Sequence, residues 1–204
     1  MGEASETPSG RPVSPAAHLA EAFAAATVVG PRAVRLREVP FQTMIGIRAD
    51  VRTTTAERLG AELGTALPAR CGEVAVGGPS SVLWLSPDEF LLVSDAPAIP
   101  IVDQLTQALG EDPGSVIDLS ANRTTFELAG PAARAVLEKG CPLDLHPRAL
   151  AVGTAYLTVL GSVAVLLWKV DQQSFRILPR SSFADYLGRW LIDAMAEFAG
   201  AEVT

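Results

Sequence analysis

Hydrophobic residues follow two regular spacings along the chain beyond residue 40. In residues 43–50, TMIGIRAD, apolar residues alternate with their neighbours, which predicts a strand. In residues 53–68 leucines recur every four positions, which predicts a helix that ends at Pro68. Residues 81–94, SVLWLSPDEFLLVS, indicate a hairpin, because proline presets a turn and the following aspartate can bond nearby backbone. Residues 101–110 repeat the helical spacing and end in Gly110, a frequent helix terminator.

The same order of elements returns between residues 115 and 200. Residues 115–130 contain two strand-like runs on either side of residues 120–123. Residues 130–140, GPAARAVLEKG, predict a helix with proline in its first turn and glycine just past its end. Further strand-like runs follow at residues 155–160, 163–170 and 173–180.

The last helix is the clearest single element of the pattern. Ser182 and Asp185 fit a capping box at its start. Its apolar face consists of Phe183, Leu187, Trp190, Leu191, Ala194 and Phe198. Together the elements predict an α+β fold of two similar strand-helix-hairpin-helix halves, about residues 41–110 and 116–200, with largely antiparallel sheets.

Residues 1–33 are expected to form a disordered or docking N-terminal tail, and residues 34–204 a single two-halved domain. The first fifteen residues are rich in proline, serine, glycine and glutamate and lack apolar periodicity, which favours disorder. The alanine-rich residues 18–27 can form a helix. We expect the apolar residues of the segment 16–29 to dock on a partner.

The composition excludes several classes of partner. Apolar residues make up 49% of the 204, charged residues make up 19%, and the net charge is −7. A net negative charge disfavours binding to nucleic acid and to anionic membranes, because proteins recognise their phosphates with clustered Lys and Arg. The longest apolar stretch, residues 155–168, is too short and too interrupted to span a bilayer. Two cysteines far apart in sequence, without an export signal, predict a cytoplasmic location.

One short stretch, KGCPLDLHP at residues 139–147, combines a thiol, an imidazole and a carboxylate. Cys-His catalysis requires hydrogen-bond contact between the two side chains. Extended chain with Pro142 between them would separate Cys141 and His146 by up to about 15 Å. A structural zinc site requires four ligands, and no second Cys or His cluster is present. The stretch is therefore predicted to connect a helix to a strand, with no catalytic and no metal-ligating residue.

Two arginines are the candidates for binding an anion or a folate-like ligand. Arg123, with Asp118 and Asn122, lies between two predicted strands and either recognises a carboxylate or belongs to a self-satisfied turn. Arg180 precedes a predicted helix, where Ser181 and Ser182 with the free amides either hold an anion or cap the helix.

Three segments resemble the gamma subunit family of heterotetrameric sarcosine oxidase. They are LSPDEFLLVS, VIDLSANRTTFELAGPAARAVLEKGCPLDLHP and FRILPRSSFADYLGRWLIDAMAEF, and the resemblance covers most of residues 41–200. More distantly, DLS followed by ELAGPAARAVL is similar to the folate-binding domain of the glycine cleavage system aminomethyltransferase. This second resemblance implies the aminomethyltransferase-like form of the two-halved fold.

The family resemblance implies a non-catalytic subunit that assembles with alpha, beta and delta subunits. The complex oxidatively demethylates sarcosine to glycine, forming hydrogen peroxide and 5,10-methylenetetrahydrofolate. FAD, FMN, NAD, tetrahydrofolate and zinc are expected on the other subunits and none on this chain. No counterpart of the aminomethyltransferase segment Gly-Gly-x-x-Asp-Asp is present. The alternatives are a free-standing folate-binding or one-carbon transfer protein and a hydrolase or redox protein that depends on Cys141.

Overall fold

The structure, a computed structural model, describes residues 12–200 and places two five-stranded sheets between two layers of helices. The first sheet contains β2 (Thr43–Arg48), β3 (Val74–Gly77), β4 (Ser80–Ser86), β5 (Glu89–Ser94) and β6 (Ser115–Asp118). The second contains β1 (Arg35–Val39), β7 (Thr125–Ala129), β8 (Thr154–Leu160), β9 (Val163–Asp171) and β10 (Ser174–Pro179). The α-helices are α1 (Ala20–Ala25), α2 (Thr54–Leu63), α3 (Ala98–Leu109), α4 (Ala133–Glu138) and α5 (Ala184–Met195).

The two sheets repeat one topology, and all their strand pairs are antiparallel. The strand order is β3-β4-β5-β2-β6 in the first sheet and β8-β9-β10-β7-β1 in the second, read in the matching direction. The predicted α+β class, the antiparallel sheets and the repeated order of elements are therefore confirmed. In the second sheet the edge strand next to β7 is β1, which precedes every strand of the first sheet in the sequence.

Apolar residues on alternate positions of each strand separate the layers. One face of the first sheet packs on α2 and α3, and one face of the second packs on α1, α4 and α5. The opposite faces meet each other through Met44, Leu83, Leu91, Val93, Ala155, Leu166, Trp168 and Leu178. Alternation places successive side chains on opposite faces, so strands buried on both faces are almost entirely apolar, as in β9.

The two strand-like runs of residues 115–130 are strands, but they belong to different sheets. β6 pairs with β2, whereas β7 pairs with β1 and β10. The structure therefore assigns residues 115–118 to the first sheet, although the sequence boundary at residue 116 placed most of them in the second half. The chain crosses between the sheets at residues 119–124, and this crossing shapes the candidate site.

The described part of the N-terminal segment packs on this chain's own second sheet. Ala17–Leu19 form a 3-10 turn that leads into α1, and Leu19 and Phe23 are 2% and 3% exposed. Phe23 meets Phe126 edge to face, with ring centroids 5.7 Å apart. The expectation that the apolar residues of 16–29 dock on a partner is therefore wrong for Ala16, Leu19, Phe23 and Val28, because they are buried in this chain's own core. The part of the predicted tail at residues 1–11 lies outside the described residues.

Two helix ends differ from the sequence pattern. α2 ends at Leu63 because Gly64 adopts a left-handed backbone with φ of 67°, so Pro68 lies beyond the helix. Ser181–Phe183 form a 3-10 turn before α5, and no side chain caps the helix start. Asp185 is hydrogen-bonded to His18 at 2.7 Å and to Arg189 at 3.0 Å, so it is not part of a capping box.

The described helices are short. α3 and α5 have 12 residues each. Among residues 12–200, no helix combines the length and hydropathy needed to cross a membrane.

Candidate functional site

The stretch KGCPLDLHP connects α4 to β8, and its reactive side chains bond to local groups. The Sγ atom of Cys141 lies 3.9 Å from Oγ1 of Thr158. The backbone N–H of Arg148 donates to Nδ1 of His146 at 3.2 Å, and Asp144 accepts the backbone N–H of His146 at 2.9 Å. No hydrogen bond of the described residues joins Cys141 to His146. The geometry is that of a connector, without a nucleophile and base in contact.

Lys139, at the start of the same stretch, contacts the end of α5. Its ammonium donates to the carbonyl oxygen of Ala194 and lies 3.0 Å from a carboxylate oxygen of Glu197. It also lies 4.9 Å from the centroid of the Phe198 ring. A cation at a helix C-terminus satisfies carbonyl groups that have no helical partner, so Lys139 stabilises this helix end.

Arg123 and Arg180 come together although 57 positions separate them in sequence. They form an isolated antiparallel bridge that continues the register of β7 and β10. Arg180 donates to the Asn122 side chain at 2.7 Å, and Ser181 donates to the carbonyls of Asn122 and Ala121 at 2.9 Å and 2.8 Å. These bonds fix the crossing segment at residues 119–124 against the start of the last helical region.

The polar neighbours named with Arg123 in the sequence satisfy local groups. Asp118 accepts the backbone N–H of Ser120 at 2.9 Å and also its hydroxyl. Neither arginine has a carboxylate within 4.0 Å among the described residues, so Asp118 does not neutralise Arg123. Arg123 donates from Nη1 to the carbonyl of Leu178 at 2.9 Å. Burial lowers the pKa of Arg123, the nearby charge of Arg180 lowers it further, and Glu89 acts in the opposite direction.

A cavity of about 390 Å³ lies beside Arg123, where the chain crosses between the sheets. Its walls are formed by three segments, residues 12–15, 39–44 and 120–125, and by Ser181. The apolar lining consists of Pro12, Val13, Pro15, Val39, Phe41, Ala121 and Met44. The polar lining consists of Gln42, Ser120, Arg123, Thr124, Thr125 and Ser181.

Two buried oxygens of the cavity lining have no hydrogen-bond partner in the described part of the chain. They are Oε1 of Gln42, a residue that is 5% exposed, and Oγ1 of Thr125, which is 1% exposed. The amide nitrogen of Gln42 donates to Asp95 at 3.2 Å, so the unpaired atom of this amide is the oxygen of Gln42. Unpaired buried oxygens are rare in native proteins, because desolvation without a compensating bond costs free energy.

Phe41 stands at the same cavity in an unusual backbone conformation. Its φ is 56°, in the left-handed region, and it is 64% exposed. Among the described residues it is the one non-glycine residue with positive φ. Sequence reasoning did not identify Phe41, Gln42 or Thr125, because single residues in strand-like context carry no signal of an unpaired atom or of a strained backbone.

The described residues offer no metal centre. Across positions 12–200, no three His, Cys, Asp or Glu side chains are grouped so as to hold a metal ion. The two cysteines are unpaired, with Cys71 exposed and Cys141 buried.

Comparisons with known proteins agree across most of the chain. Residues 48–197 match the family described as "Sarcosine oxidase, gamma subunit family". The sarcosine oxidase subunit gamma of Corynebacterium sp. (strain U-96) is 55% identical over 193 residues, 93% of either chain. The subunit gamma of an Arthrobacter species is 50% identical over 191 residues, again 93% of either chain.

Solved structures give the same result for the fold. A chain of the heterotetrameric sarcosine oxidase from Corynebacterium sp. U-96, in complex with pyrrole 2-carboxylate, is similar with a TM-score of 0.91 and 52% identity. The match covers 95% of this chain and 99% of that one. The glycine cleavage system aminomethyltransferase T from Bartonella henselae is similar with a TM-score of 0.55 and 18% identity, over 85% of this chain and 48% of that one. The second likeness concerns the fold alone.

Proposed function

The chain belongs to the sarcosine oxidase gamma subunit family, and from this membership we propose that it is a non-catalytic assembly subunit of a heterotetrameric sarcosine oxidase. Its partners are the alpha, beta and delta subunits of that complex. The observation that carries the proposal is 52% identity and a TM-score of 0.91 to a chain of a heterotetrameric sarcosine oxidase, over 99% of that chain. The likeness therefore extends over almost the whole length of that subunit.

The complex oxidatively demethylates sarcosine to glycine and forms hydrogen peroxide and 5,10-methylenetetrahydrofolate. We assign FAD, FMN, NAD, tetrahydrofolate and zinc to the other subunits. For the dinucleotide cofactors this assignment is supported by a sequence without a dinucleotide-binding glycine fingerprint. For zinc it is supported by the described residues, which contain no cluster of metal ligands.

A free-standing folate-binding or one-carbon transfer function has less support. The likeness to the aminomethyltransferase is 18% identical and concerns the fold. A cytoplasmic location of the complex is part of the proposal, and it is supported by two cysteines that form no disulfide.

Co-expression tests this function directly. The alpha, beta and delta subunits are produced with and without this chain, and the yield of complex and the sarcosine-dependent formation of hydrogen peroxide are measured. We expect the yield of intact complex to fall strongly without the chain. Full yield and full activity of a three-subunit complex would show that the chain has no part in assembly.

A further inference from the structure

We propose that the cavity beside Arg123 binds an organic carboxylate with an apolar, preferably aromatic, body and a hydrogen-bond donor. Arg123 would bind the carboxylate, Gln42 would accept the donor, and Phe41 would contact the ring. All residues that line this site belong to this chain.

The cavity wall carries a positive charge. Arg123 is held beside Arg180 with no carboxylate within 4.0 Å of either guanidinium in the described part of the chain. Nη1 of Arg123 donates to the carbonyl of Leu178 at 2.9 Å, and no other hydrogen bond to this guanidinium is present within residues 12–200. Burial and the nearby positive charge of Arg180 disfavour the charged form of Arg123, whereas a bound anion favours that form.

Two oxygens of the cavity lining lack a hydrogen-bond partner in the described part of the chain. Oε1 of Gln42 can only accept a hydrogen bond, so the group that satisfies it must be a donor. Oγ1 of Thr125 can donate or accept. Both atoms belong to side chains that line the cavity and are at least nine-tenths buried. A ligand with a donor beside its carboxylate supplies the missing partner.

The apolar lining of the cavity suits an apolar part of the ligand. Phe41 lines the cavity in a left-handed backbone conformation, which disfavours a bulky residue, and most of its surface is solvent-exposed. Val13, 78% exposed, also lines the cavity, and Met44 is a buried part of its wall. An aromatic ring covers such a surface better than an inorganic anion does. The volume of about 390 Å³ lies within the range of small-molecule pockets.

A larger depression, about 890 Å³ around residues 48–52, does not share these properties. Its charged groups are paired with each other, since Arg52 bonds Asp50 at 2.8 Å and Arg48 lies 3.8 Å from Asp88. The cavity beside Arg123 is therefore the better candidate despite its smaller size.

Binding is tested on the full-length chain with hippurate, which combines a phenyl ring, an amide N–H and a carboxylate. Hippurate methyl ester is the uncharged control ligand. Titration calorimetry is expected to show that the ester and the variant Arg123→Gln each bind about 10- to 100-fold more weakly than hippurate binds the native chain. The control Arg70→Gln, at an exposed arginine away from the cavity, should bind hippurate as the native chain does.

A second variant keeps the test valid if Arg123→Gln folds poorly. Val13 is exposed, so Val13→Glu should leave the fold intact while adding a negative charge to the cavity wall. This variant should also bind hippurate more weakly, whereas Val29→Glu, an exposed valine that does not line the cavity, should not. The proposal would be overturned if the native chain did not bind hippurate at about 10 mM. It would also be overturned if Arg123→Gln bound hippurate, or the native chain bound the ester, as tightly as the native chain binds hippurate.

The carboxylate can belong to a free small molecule or to a side chain of a partner subunit. Titration of the assembled complex separates these sources, because a partner carboxylate would occupy the cavity and abolish hippurate binding there. Retained binding, lost again on Arg123→Gln, identifies a free small molecule. Both outcomes support the site, provided that the isolated native chain binds hippurate.

Discussion

Gly140 lies directly against the indole ring of Trp190. A Cβ atom at Gly140 would stand 2.6 Å from Cζ2 of Trp190 and 2.8 Å from the backbone nitrogen of Gly161. The same backbone nitrogen donates to the carbonyl of Gly140 at 3.0 Å. The two segments that carry the family resemblance most specifically, EKGCPLDLHP and RSSFADYLGRWL, therefore meet at this contact. Within KGCPLDLHP, Lys139 and Gly140 are the residues that contact α5 and its C-terminal end.

Gly140→Ala should destabilise the fold. The added methyl group overlaps both the indole and backbone, and overpacking of this kind costs about 1–3 kcal/mol. Urea unfolding followed by tryptophan fluorescence measures the free energy of unfolding. Gly200→Ala is the matched control, because its nearest contact to an added Cβ is at 3.7 Å. Equal stability of the two variants would contradict the contact with Trp190.

Phe23→Ala should destabilise the whole domain as well as the N-terminal helix. Phe23 is 3% exposed and contacts Phe126 in the core of the second sheet, and truncation of a buried phenylalanine costs about 3–5 kcal/mol. Phe183→Ala, at a residue that is 45% exposed, should cost much less. Thermal unfolding of both variants makes the comparison. A Phe23→Ala variant as stable as Phe183→Ala would mean that residues 12–28 do not belong to the core.

Local pattern predicted most elements, but it did not predict which strands pair. The hairpin of β4 and β5 was predicted from its turn residues, because both strands are local to the turn. β6 and β7 also flank polar residues, yet their partners lie far away in sequence, at β2 and β1. Nothing in residues 115–130 specifies these long-range pairs, so the sequence pattern alone assigns both runs to the second half.

The candidate site shows the same limit. Arg123 and Arg180 were each identified from neighbouring polar residues, but their bridge depends on the long-range register of β7 with β10. Asp185 fitted a capping box by spacing alone, whereas in the structure its carboxylate bonds His18, 167 positions away. The N-terminal helix was similarly placed outside the domain, because a short alanine-rich segment carries little information on what it packs against.

The link between His18 and Asp185 should make stability depend on acid pH. The hydrogen bond from His18, followed by that from Arg189, lowers the pKa of Asp185, while desolvation opposes this shift. A carboxyl group with a lowered folded-state pKa stabilises the fold above its unfolded pKa of about 3.9, and the contribution disappears as pH falls through the folded-state pKa. The native chain should therefore exceed Asp185→Asn in free energy of unfolding at pH 7, and the difference should shrink below about pH 4.

Urea unfolding of both chains between pH 7 and pH 2.5 measures this dependence. Asp193→Asn, at an exposed aspartate of the same helix, controls for the change in net charge. A difference between native and Asp185→Asn that is constant over the whole range would show that the bond to His18 does not form.

Cys141→Ala should leave the sarcosine-dependent formation of hydrogen peroxide by the assembled complex unchanged. The thiol is buried and faces Thr158, with no hydrogen bond to His146 in the described structure. Loss of the small buried side chain should cost about 1 kcal/mol of stability. Cys71→Ala, at the exposed cysteine, is the control, and both complexes are assayed for turnover under saturating sarcosine. Loss of turnover in Cys141→Ala alone would restore a chemical role for this thiol.

The central claim is that this chain is one subunit of a four-subunit oxidase. Native mass spectrometry of the chain co-expressed with alpha, beta and delta subunits tests it most directly. We predict one dominant species whose mass is that of one copy of each of the four chains. A dominant three-chain species, with this chain detected separately at its own mass of 21.4 kDa, would contradict the claim.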